Sequence, residues 1–430
     1  MKRKIESRLI SWKNSADRKP LILNGARQVG KTYILREFGR RFYKNTVYIN
    51  LERNTAVRGY FDDDISASRL IKYLEGEAGE KILPGETLVI LDEIQSCERA
   101  ITSLKYFCED APEYHIAAAG SLLGVAINRS SYSYPVGKVN TIQLFPMDFE
   151  EFLWAGNADF ICEEIKTAYE SLAPVPETLH KRAMEMYKDY LIVGGMPEAV
   201  KSFYESNSYI DAGLVQSEII NNYTADMAKY ATNTEAVKIR ACYNSITNQL
   251  AKDNKKFQYK VVQRGGSAAM FGPSLDWLKQ AGVILECNRI EHGMEPLSVY
   301  SDPSAFKIYM SDVGLLFNKS GMSIQTVLSD EPNLFMGAVA ENYVAQQLAS
   351  KGYPLYYWAT SNSQAELDFV VQRENNIFGI EVKRGEHVRS RSLGMFAQKY
   401  KAVKALRVSS KNFGNSNGII SIPLYAVFML

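Results

Sequence analysis

The sequence has few of the residues that mark disulfide-stabilised or zinc-binding proteins. Its 430 residues include only 5 cysteines and 4 histidines. The cysteines are scattered and form no CxxC pair, which indicates reduced thiols in a cytoplasmic protein rather than a disulfide framework. The histidines lack the spacing of a zinc site. Both absences favour a chain that folds around hydrophobic cores alone.

Long hydrophobic runs are also missing. The longest nearly unbroken apolar run covers residues 116–127 and is interrupted by Ser121 and two glycines. It is too short to span a membrane. The charged amino terminus is not followed by an apolar segment, so we expect no secretory signal. The sequence therefore predicts a cytoplasmic protein without a membrane partner.

A strong charge of either sign is absent as well. The formal net charge is +2, with 46% hydrophobic and 23% charged residues, which is typical of a soluble globular protein. No overall field attracts the chain to nucleic acid, although a local basic patch stays open. At this length we expect roughly two to four domains.

The order of segments predicts four domains. Residues 1–155 alternate between strand-like and helix-like stretches, which predicts an α/β fold with a parallel, doubly wound sheet. Residues 156–235 are mainly helical and form a lid or linker. Residues 236–325 read as two helices followed by two strands, the order of a winged helix-turn-helix. Residues 326–430 open with a helix, continue with three strand-like segments, and form a final α/β domain.

A phosphate-binding loop follows the first apolar strand, 21–24. The pattern GxxxxGKT between a strand and a helix lets glycines wrap the backbone around phosphates, with loop amides and a helix start facing the anion. We expect the lysine to reach the β and γ phosphates of ATP and the threonine to bind Mg²⁺. The predicted ATP-binding residues are Gly25, Ala26, Arg27, Gln28, Val29, Gly30, Lys31 and Thr32.

A second part of the same site is predicted at the end of a buried strand. Four apolar residues, 88–91, precede Asp92 and Glu93. Ligands bind at the carboxyl ends of strands in open α/β sheets. Asp92 is therefore expected to hold Mg²⁺, directly or through water, and Glu93 to activate the attacking water.

Two further roles in the ATP site are those of a γ-phosphate sensor and a cationic finger. Ser121 follows the apolar strand that ends at Gly120, and it is expected either to sense the γ phosphate or to cap a helix. A cationic finger is harder to place, because Arg27, Arg129 and Lys138 all lie in the region without a distinctive context.

The carboxy-terminal domain has its own cluster of charged residues. Glu341 lies on the opening helix, Asp368 lies in a strand, and Glu381 and Lys383 share a face of the next strand. Such carboxylates would collect a second divalent metal. Lys383 would orient or activate water, or neutralise phosphate charge, as in a metal-dependent phosphodiesterase. Charged solvent faces of amphipathic strands are the alternative.

Taken together, these motifs resemble one group of prokaryotic AAA-type ATPases over essentially the whole chain. The group carries a carboxy-terminal domain of unknown function with restriction-endonuclease-like motifs. Besides the loop and the strand ending in Asp-Glu-Ile-Gln, the resemblance rests on Gly120-Ser121 and on the segments 145–152, 193–197, 340–344, 365–370 and 381–383.

The resemblance implies ATP binding at Gly25–Thr32 and at Asp92 and Glu93. It also implies a PD-(D/E)xK-like fold that carries Glu341, Asp368, Glu381 and Lys383. A homo-oligomer is an assembly that the resemblance allows, since AAA-type relatives often form rings. One departure is Lys138, where the pattern leads us to expect arginine. The departure matters because lysine cannot make a bidentate contact with phosphate.

Two functions follow from this sequence. The first is an ATP-driven enzyme that processes DNA, with Lys255, Lys256, Lys260 and Arg264 as candidate phosphate contacts. A solvated charged face explains these four residues equally well. The second is a nucleotide-dependent switch that does not cleave. A kinase is a weaker third option, because the sequence shows no signature for an acceptor substrate.

Overall fold

The computed structural model describes residues 1–120, 134–229, 231–360, 365–385, 391–400 and 403–430. The chain divides into two compact units. The N-terminal unit comprises Arg3–Phe145 together with Gln280–Gly282. The C-terminal unit comprises Met1–Lys2, Pro146–Lys279 and Val283–Leu430. In the described ranges, no helix combines the length and the apolar character needed to cross a membrane.

The N-terminal unit contains a five-stranded sheet in which every neighbouring pair is parallel. Its strands are β1 (Leu21–Asn24), β2 (Asn45–Asn50), β3 (Thr87–Asp92), β4 (His115–Ala119) and β5 (Asn140–Gln143). They lie in the order β2-β3-β4-β1-β5. The predicted parallel α/β sheet is confirmed. Strand β1 lies between β4 and β5, so the loop that follows it begins at the carboxyl edge, between the ends of those two strands.

Helices connect these strands and bury them. They are α1 (Ile5–Asn14), α2 (Lys31–Phe42), α3 (Thr55–Arg58), α4 (Ala67–Ala78) and α5 (Glu98–Asp110), with short 3-10 helices at Gly59–Phe61 and Ile94–Ser96. All six residues of β3 are buried. Val89 and Leu91 pack with residues of α4 and α5 such as Leu70 and Leu104. A strand buried along its whole length reads as a continuous apolar run.

The C-terminal unit is built on an eight-stranded sheet. Its strands are β6 (Ile284–Ile290), β7 (Ser301–Met310), β8 (Leu355–Ala359), β9 (Glu366–Arg373), β10 (Asn376–Val382), β11 (Val403–Ser409), β12 (Gly414–Ser416) and β13 (Ile419–Pro423). Their order is β12-β13-β11-β10-β9-β8-β6-β7. The sheet is mixed, with β6 parallel to β8 and β9 antiparallel to both β8 and β10.

Most of the helical content belongs to this unit. The helices are α6 (Phe149–Ala155), α7 (Asp159–Ser171), α8 (Glu177–Val193), α9 (Pro197–Ser206), α10 (Tyr209–Lys229), α11 (Asn233–Leu250), α12 (Tyr259–Val262), α13 (Ala268–Gln280), α14 (Val313–Ser320), α15 (Ile324–Leu328), α16 (Phe335–Ser350) and α17 (Arg391–Lys399). Two 3-10 helices lie at Leu297–Tyr300 and Leu424–Met429. Leu393 and Phe396 of α17 pack with Leu367 and Ile377 on the sheet.

The observed units differ from the division expected from the sequence. The sequence predicts a winged-helix-like region, 236–325, that is separate from a final domain, 326–430. In the structure, β6 and β7 continue the same sheet that β8–β13 form, because β6 pairs with β8 over Cys287–Ile290. The first boundary also differs, since the units divide after Phe145 and α6 belongs to the C-terminal unit. Hydrophobic periodicity identifies strands but not the partners with which they pair.

Helix α16 is buried on nearly every side, including its polar residues. Asn342, Gln346 and Gln347 are at most 1% exposed. Asn342 exchanges two hydrogen bonds with the backbone of Met310, and the Gln346 carbonyl oxygen accepts from the Val313 backbone amide at 2.8 Å. Buried amides must find such partners. These bonds hold α16, and with it Glu341, in one position against β7.

Candidate functional site

The loop between β1 and α2 can be built only with glycine at its first position. A Cβ atom at Gly25 would lie 2.3 Å from the carbonyl oxygen of Leu144. Gly30, the last residue before α2, has φ 93°, a left-handed conformation that side chains disfavour. The backbone thus turns sharply between strand and helix. As a result, the amino end of α2 opens into the loop, where it can face an anion.

Lys31 is folded back onto this loop. Its Nζ donates to the carbonyl oxygens of Gly25 at 2.8 Å and Ala26 at 2.7 Å. The side chain is only 8% exposed. Burial lowers the pKa of Lys31 to about 8, against the opposing influence of Glu93 and Asp92. The ammonium group therefore lies over the cradle, where phosphate oxygens would replace the two carbonyls.

Thr32 and Asp92 come together at the edge of the sheet. The Thr32 hydroxyl donates to Asp92 Oδ2 at 2.9 Å. The Tyr48 hydroxyl donates to the same oxygen at 2.8 Å. A hydroxyl and a carboxylate oxygen beside a phosphate cradle are the hard donors that Mg²⁺ binds. The pair fits that ion, and Tyr48 holds the carboxylate in place.

Glu93 follows Asp92 in a left-handed backbone conformation with φ 51°. Its Oε2 accepts a hydrogen bond of 2.5 Å from the Gln95 side-chain amide. Burial raises the pKa of Glu93 above its ordinary value, while the bond from Gln95 opposes that shift. A carboxylate with a raised pKa is a stronger base toward water.

The remaining loop residues have different surroundings. Ala26 and Val29 are buried, and the Val29 carbonyl accepts from the Arg3 guanidinium at 3.1 Å. Gln28 has φ 67°, and Arg27 is partly exposed close enough to Lys31 to lower its pKa. All eight predicted loop residues therefore belong to one compact turn.

The candidate sensor and finger residues that follow β4 are only partly covered by the described ranges. Ser121, the predicted sensor, and Arg129 lie outside the described residues. Lys138 is described, and its Nζ forms an ion pair of 2.8 Å with Glu109 on α5. It therefore points to a surface carboxylate in this arrangement.

The predicted carboxy-terminal residues lie on adjoining elements of the C-terminal unit. Strands β9 and β10 are antiparallel, and Asp368 and Glu381 lie one residue beyond the pair Phe369–Ile380. The Val382 backbone amide donates to Asp368 Oδ2 at 2.8 Å. Lys383 Nζ lies 3.3 Å from Glu381 Oε1. The strand register therefore brings Asp368, Glu381 and Lys383 together.

Glu341, on α16, is engaged by groups outside the predicted set. Its Oε1 forms a short ion pair with Lys255 Nζ. Its Oε2 accepts from the Tyr309 hydroxyl at 3.4 Å. Lys255 is therefore bound to a carboxylate, whereas Lys260 and Arg264, two of the other candidate phosphate contacts, are exposed.

A lysine that the sequence analysis did not consider lies beneath this cluster. Lys307 on β7 is 0% exposed, and its Nζ donates to Glu366 Oε1 at 2.6 Å. Burial alone would lower the pKa of Lys307, but Glu341, Glu366 and Asp368 outweigh it and raise the pKa. Burial, and then the charge of Glu341, raise the pKa of Asp368.

The donors of this cluster do not form a ready metal site. Among the described residues, no three histidine, cysteine, aspartate or glutamate side chains are grouped so that they could hold a metal ion. Glu341 is occupied by Lys255, and a backbone amide occupies one oxygen of Asp368. A divalent ion therefore does not fit the cluster in this arrangement. The metal-binding roles of Glu341, Asp368 and Glu381 stay predictions.

Sequence reasoning missed Tyr48, Gln95 and Lys307. Tyr48 reaches Asp92 because β2 pairs with β3, with Asn50 opposite Asp92. Gln95 stands two residues after Glu93, so its proximity to that carboxylate was available from the sequence. One feature of the sequence could have identified Lys307. It is a charged residue within the apolar stretch 305–310, and a charge buried there requires a partner.

Family models match three parts of the chain. Residues 17–153 match the model of an AAA domain. Residues 184–326 and 336–425 match the models of two domains of unknown function, DUF8612 and DUF4143. No curated protein matches the chain.

Solved structures give weaker likenesses. The Walker-type ATPase PABY2304 of Pyrococcus abyssi is 15% identical, with a TM-score of 0.44, over 74% of this chain and 95% of that chain. The Aeropyrum pernix ORC2 protein in its ADPNP–ADP complexes is 12% identical, with a TM-score of 0.38, over 77% of this chain and 90% of that chain. These scores are too low to support a conclusion about this chain.

The AAA-domain match and the local geometry agree on the same residues. The matched range contains the loop, Asp92 and Glu93, and all of them meet at the carboxyl edge of a parallel sheet. The chain therefore carries an AAA-type P-loop ATPase domain.

Proposed function

We propose that the N-terminal unit binds Mg²⁺–ATP and hydrolyses it. The observation that carries this proposal is the hydrogen bond of 2.9 Å from the Thr32 hydroxyl to Asp92 Oδ2, beside the loop. The loop amides and the start of α2 bind the phosphates, and Lys31 exchanges its two loop carbonyls for phosphate oxygens. When bound, Mg²⁺ neutralises charge on the β and γ phosphates.

Glu93 acts as the base that orients and deprotonates the attacking water. Its raised pKa and its bond from Gln95 support this role. Gln95 is a positioning residue, because it holds the carboxylate and not the nucleotide. A Cβ atom at Gly120 would lie 2.4 Å from Gln95 Oε1, so the end of β4 contacts the same side chain. Ser121 remains the proposed γ-phosphate sensor on the basis of its sequence position.

ATP turnover and ATP binding in matched variants test this proposal. Lys31→Ala should bind nucleotide much more weakly than the wild type does. Glu93→Gln should bind ATP as the wild type does but hydrolyse it at least about 100-fold more slowly, since it keeps the shape and loses the base. Glu86→Gln, which removes an exposed carboxylate paired with Lys44, is the control and should turn over normally. Normal turnover by Glu93→Gln would remove Glu93 from the mechanism.

We propose further that nucleotide state controls the C-terminal unit. One output is DNA processing. It is supported by the order of α11, α12, α13, β6 and β7, which is that of a winged helix, and by the predicted nuclease-like set Asp368, Glu381 and Lys383. Metal-dependent cleavage of plasmid or oligonucleotide that disappears in Asp368→Ala is the expected result. Absence of both cleavage and DNA binding across several divalent metals would exclude this output.

The second output is a switch that binds a partner without cutting it. It is supported by the ion pair between Lys255 and Glu341, which leaves the predicted metal ligand occupied by a side chain of the same chain. In this case ATP should change partner affinity or the size of a homo-oligomer, as seen by light scattering with and without nucleotide. Neither quantity should then respond to nucleotide in Lys31→Ala.

A further inference from the structure

Besides Lys383, the carboxylate cluster of the C-terminal unit contains two lysines that differ in how firmly the fold holds them. Lys307 lies within β7, is 0% exposed, and has its Nζ 4.8 Å from the ring centre of Tyr357. Lys255 lies in the connection between α11 and α12, where residues 251–254 are all exposed. Lys307 can leave only if the strand is disrupted. Lys255 can leave by a local movement of an exposed connection.

The cluster carries more acidic than basic groups without Lys255. Glu341, Glu366 and Asp368 all lie close enough to Lys307 to raise its pKa, and Lys307 donates a hydrogen bond to Glu366. Lys383 pairs with Glu381, and Lys255 supplies the third positive charge by pairing with Glu341. Carboxylates gathered at a poorly solvated site require compensating cations. Withdrawal of Lys255 would therefore leave Glu341 in need of another cation.

One carboxylate oxygen in the cluster still has no partner. Glu381 is 5% exposed, and its Oε2 is buried without a hydrogen bond. Its other oxygen pairs with Lys383. A buried acceptor without a donor costs free energy. This oxygen, next to Asp368 across the strand pair, is a donor available to an incoming cation.

We propose that Lys255 is an intramolecular plug that closes the cluster of Glu341, Asp368 and Glu381 to divalent cations. With Lys255 in place, its ammonium group provides the charge that a metal ion would provide. When the connection between α11 and α12 moves, Glu341 is released and the unpaired oxygen of Glu381 becomes part of a cation site. The inference concerns cation binding and holds whether or not the unit cleaves nucleic acid and whether or not ATP is hydrolysed.

Manganese binding to the full-length, nucleotide-free protein tests the plug. Free Mn²⁺ is measured by electron paramagnetic resonance in wild type, Lys255→Met and the control Lys252→Met, which removes the same charge from an exposed position of the same connection. Lys255→Met should bind one Mn²⁺ ion at least about ten-fold more tightly than the wild type does, because a neighbouring cation is removed. Lys252→Met should behave as the wild type.

Second substitutions locate the new site. The gained Mn²⁺ should be lost in Lys255→Met/Asp368→Asn and kept in Lys255→Met/Asp92→Asn, which separates it from the P-loop. If the folded Lys255→Met protein gains no site, the proposal is overturned. It is equally overturned if the wild type already binds Mn²⁺ through Asp368 with the affinity of the variant.

A measurement on the unmodified protein guards against misfolding of the variant. In brief acetylation followed by peptide mass spectrometry, Lys255 should react at least about ten-fold more slowly than Lys252, because its Nζ is paired and mostly buried. Equal reactivity would show that the plug is absent in solution and would overturn the proposal.

Discussion

The side chain of Lys31 shows how one residue can be prepared for a ligand. Its ammonium group is buried and held by two carbonyl oxygens, which are weaker partners than phosphate. Burial without a full counter-charge lowers its pKa to about 8. A bound triphosphate supplies that charge, so the bound state should have the higher pKa. Nucleotide binding is therefore coupled to protonation of this one side chain.

We predict that ATP affinity falls as pH rises through about 8. Below this pH Lys31 is already charged, and above it binding must take up a proton. At pH 9.5 the affinity should be about twenty-fold lower than at pH 7.5. Isothermal titration calorimetry in buffers of different ionisation enthalpy measures both the affinity and the proton uptake.

Two variants check that this pH dependence comes from Lys31. Lys31→Met should bind weakly with no slope between these pH values. Lys44→Met, which removes an exposed lysine paired with Glu86, should keep the wild-type slope. A wild-type affinity that is flat over the same range would contradict the prediction.

At the scale of elements, the segment between α8 and α9 is held by close backbone contacts. A Cβ atom at Gly195 would lie 1.9 Å from the carbonyl oxygen of Met147. The Gly195 amide donates to Asp312 Oδ2 at 2.7 Å, and its carbonyl accepts from the Met147 amide at 2.7 Å. Asp312 also accepts from the Leu315 amide and so caps α14. The glycine therefore allows this segment to contact both the backbone of Met147 and the side chain of Asp312.

We predict that Gly195→Ala destabilises the C-terminal unit by roughly 2–4 kcal/mol, because the added methyl group must displace backbone. The matched control is Gly213→Ala, in the second turn of α10, where the nearest atom to an added Cβ is 3.8 Å away. That change should stabilise the unit by about 0.5–1 kcal/mol through helix propensity. Urea unfolding followed by circular dichroism measures both. Equal effects of the two substitutions would refute the assigned contact.

The element scale also shows where sequence patterns suffice. Strand β3 and the helix α2 are readable from an apolar run and from helical spacing, because local burial determines both. The eight-stranded sheet is not readable in this way. Its strands β6 and β8 are separated in the sequence by β7, α14, α15 and α16, and their pairing depends on long-range contacts that leave no local signal.

For the whole molecule, the division into two compact units has a thermodynamic consequence. The proposed nucleotide site lies in the N-terminal unit. A ligand that binds one native unit stabilises that unit by RT ln(1 + [L]/Kd), about 2.7 kcal/mol at one hundred times Kd. Each unit has its own hydrophobic core and can in principle unfold cooperatively.

We therefore predict two transitions in differential scanning calorimetry. Mg²⁺ with a non-hydrolysable ATP analogue should raise one of them by roughly 5–10 °C and leave the other unchanged. Lys31→Ala should abolish the shift, and Gly195→Ala should lower the transition that does not respond to nucleotide. A single transition that moves as a whole with nucleotide would show that the units unfold together.

The sequence by itself determined the P-loop chemistry, because that chemistry is local. Glycines, lysine and threonine at fixed spacing define a phosphate cradle, and an apolar strand before Asp92 and Glu93 defines its partner. It also predicted a candidate cluster of Asp368, Glu381 and Lys383. Period-two geometry places Glu381 and Lys383 on one face, and an adjacent antiparallel strand can bring Asp368 close to both.

Only the tertiary structure decided which groups share those sites. Tyr48 bonds to Asp92 because β2 and β3 are neighbours, Lys255 pairs with Glu341 across a large sequence separation, and Lys307 lies buried among carboxylates. These contacts follow from sheet order and helix packing, where the free energy of burial is shared among distant segments. A local pattern records which residue is charged, whereas the fold determines which opposite charge it meets.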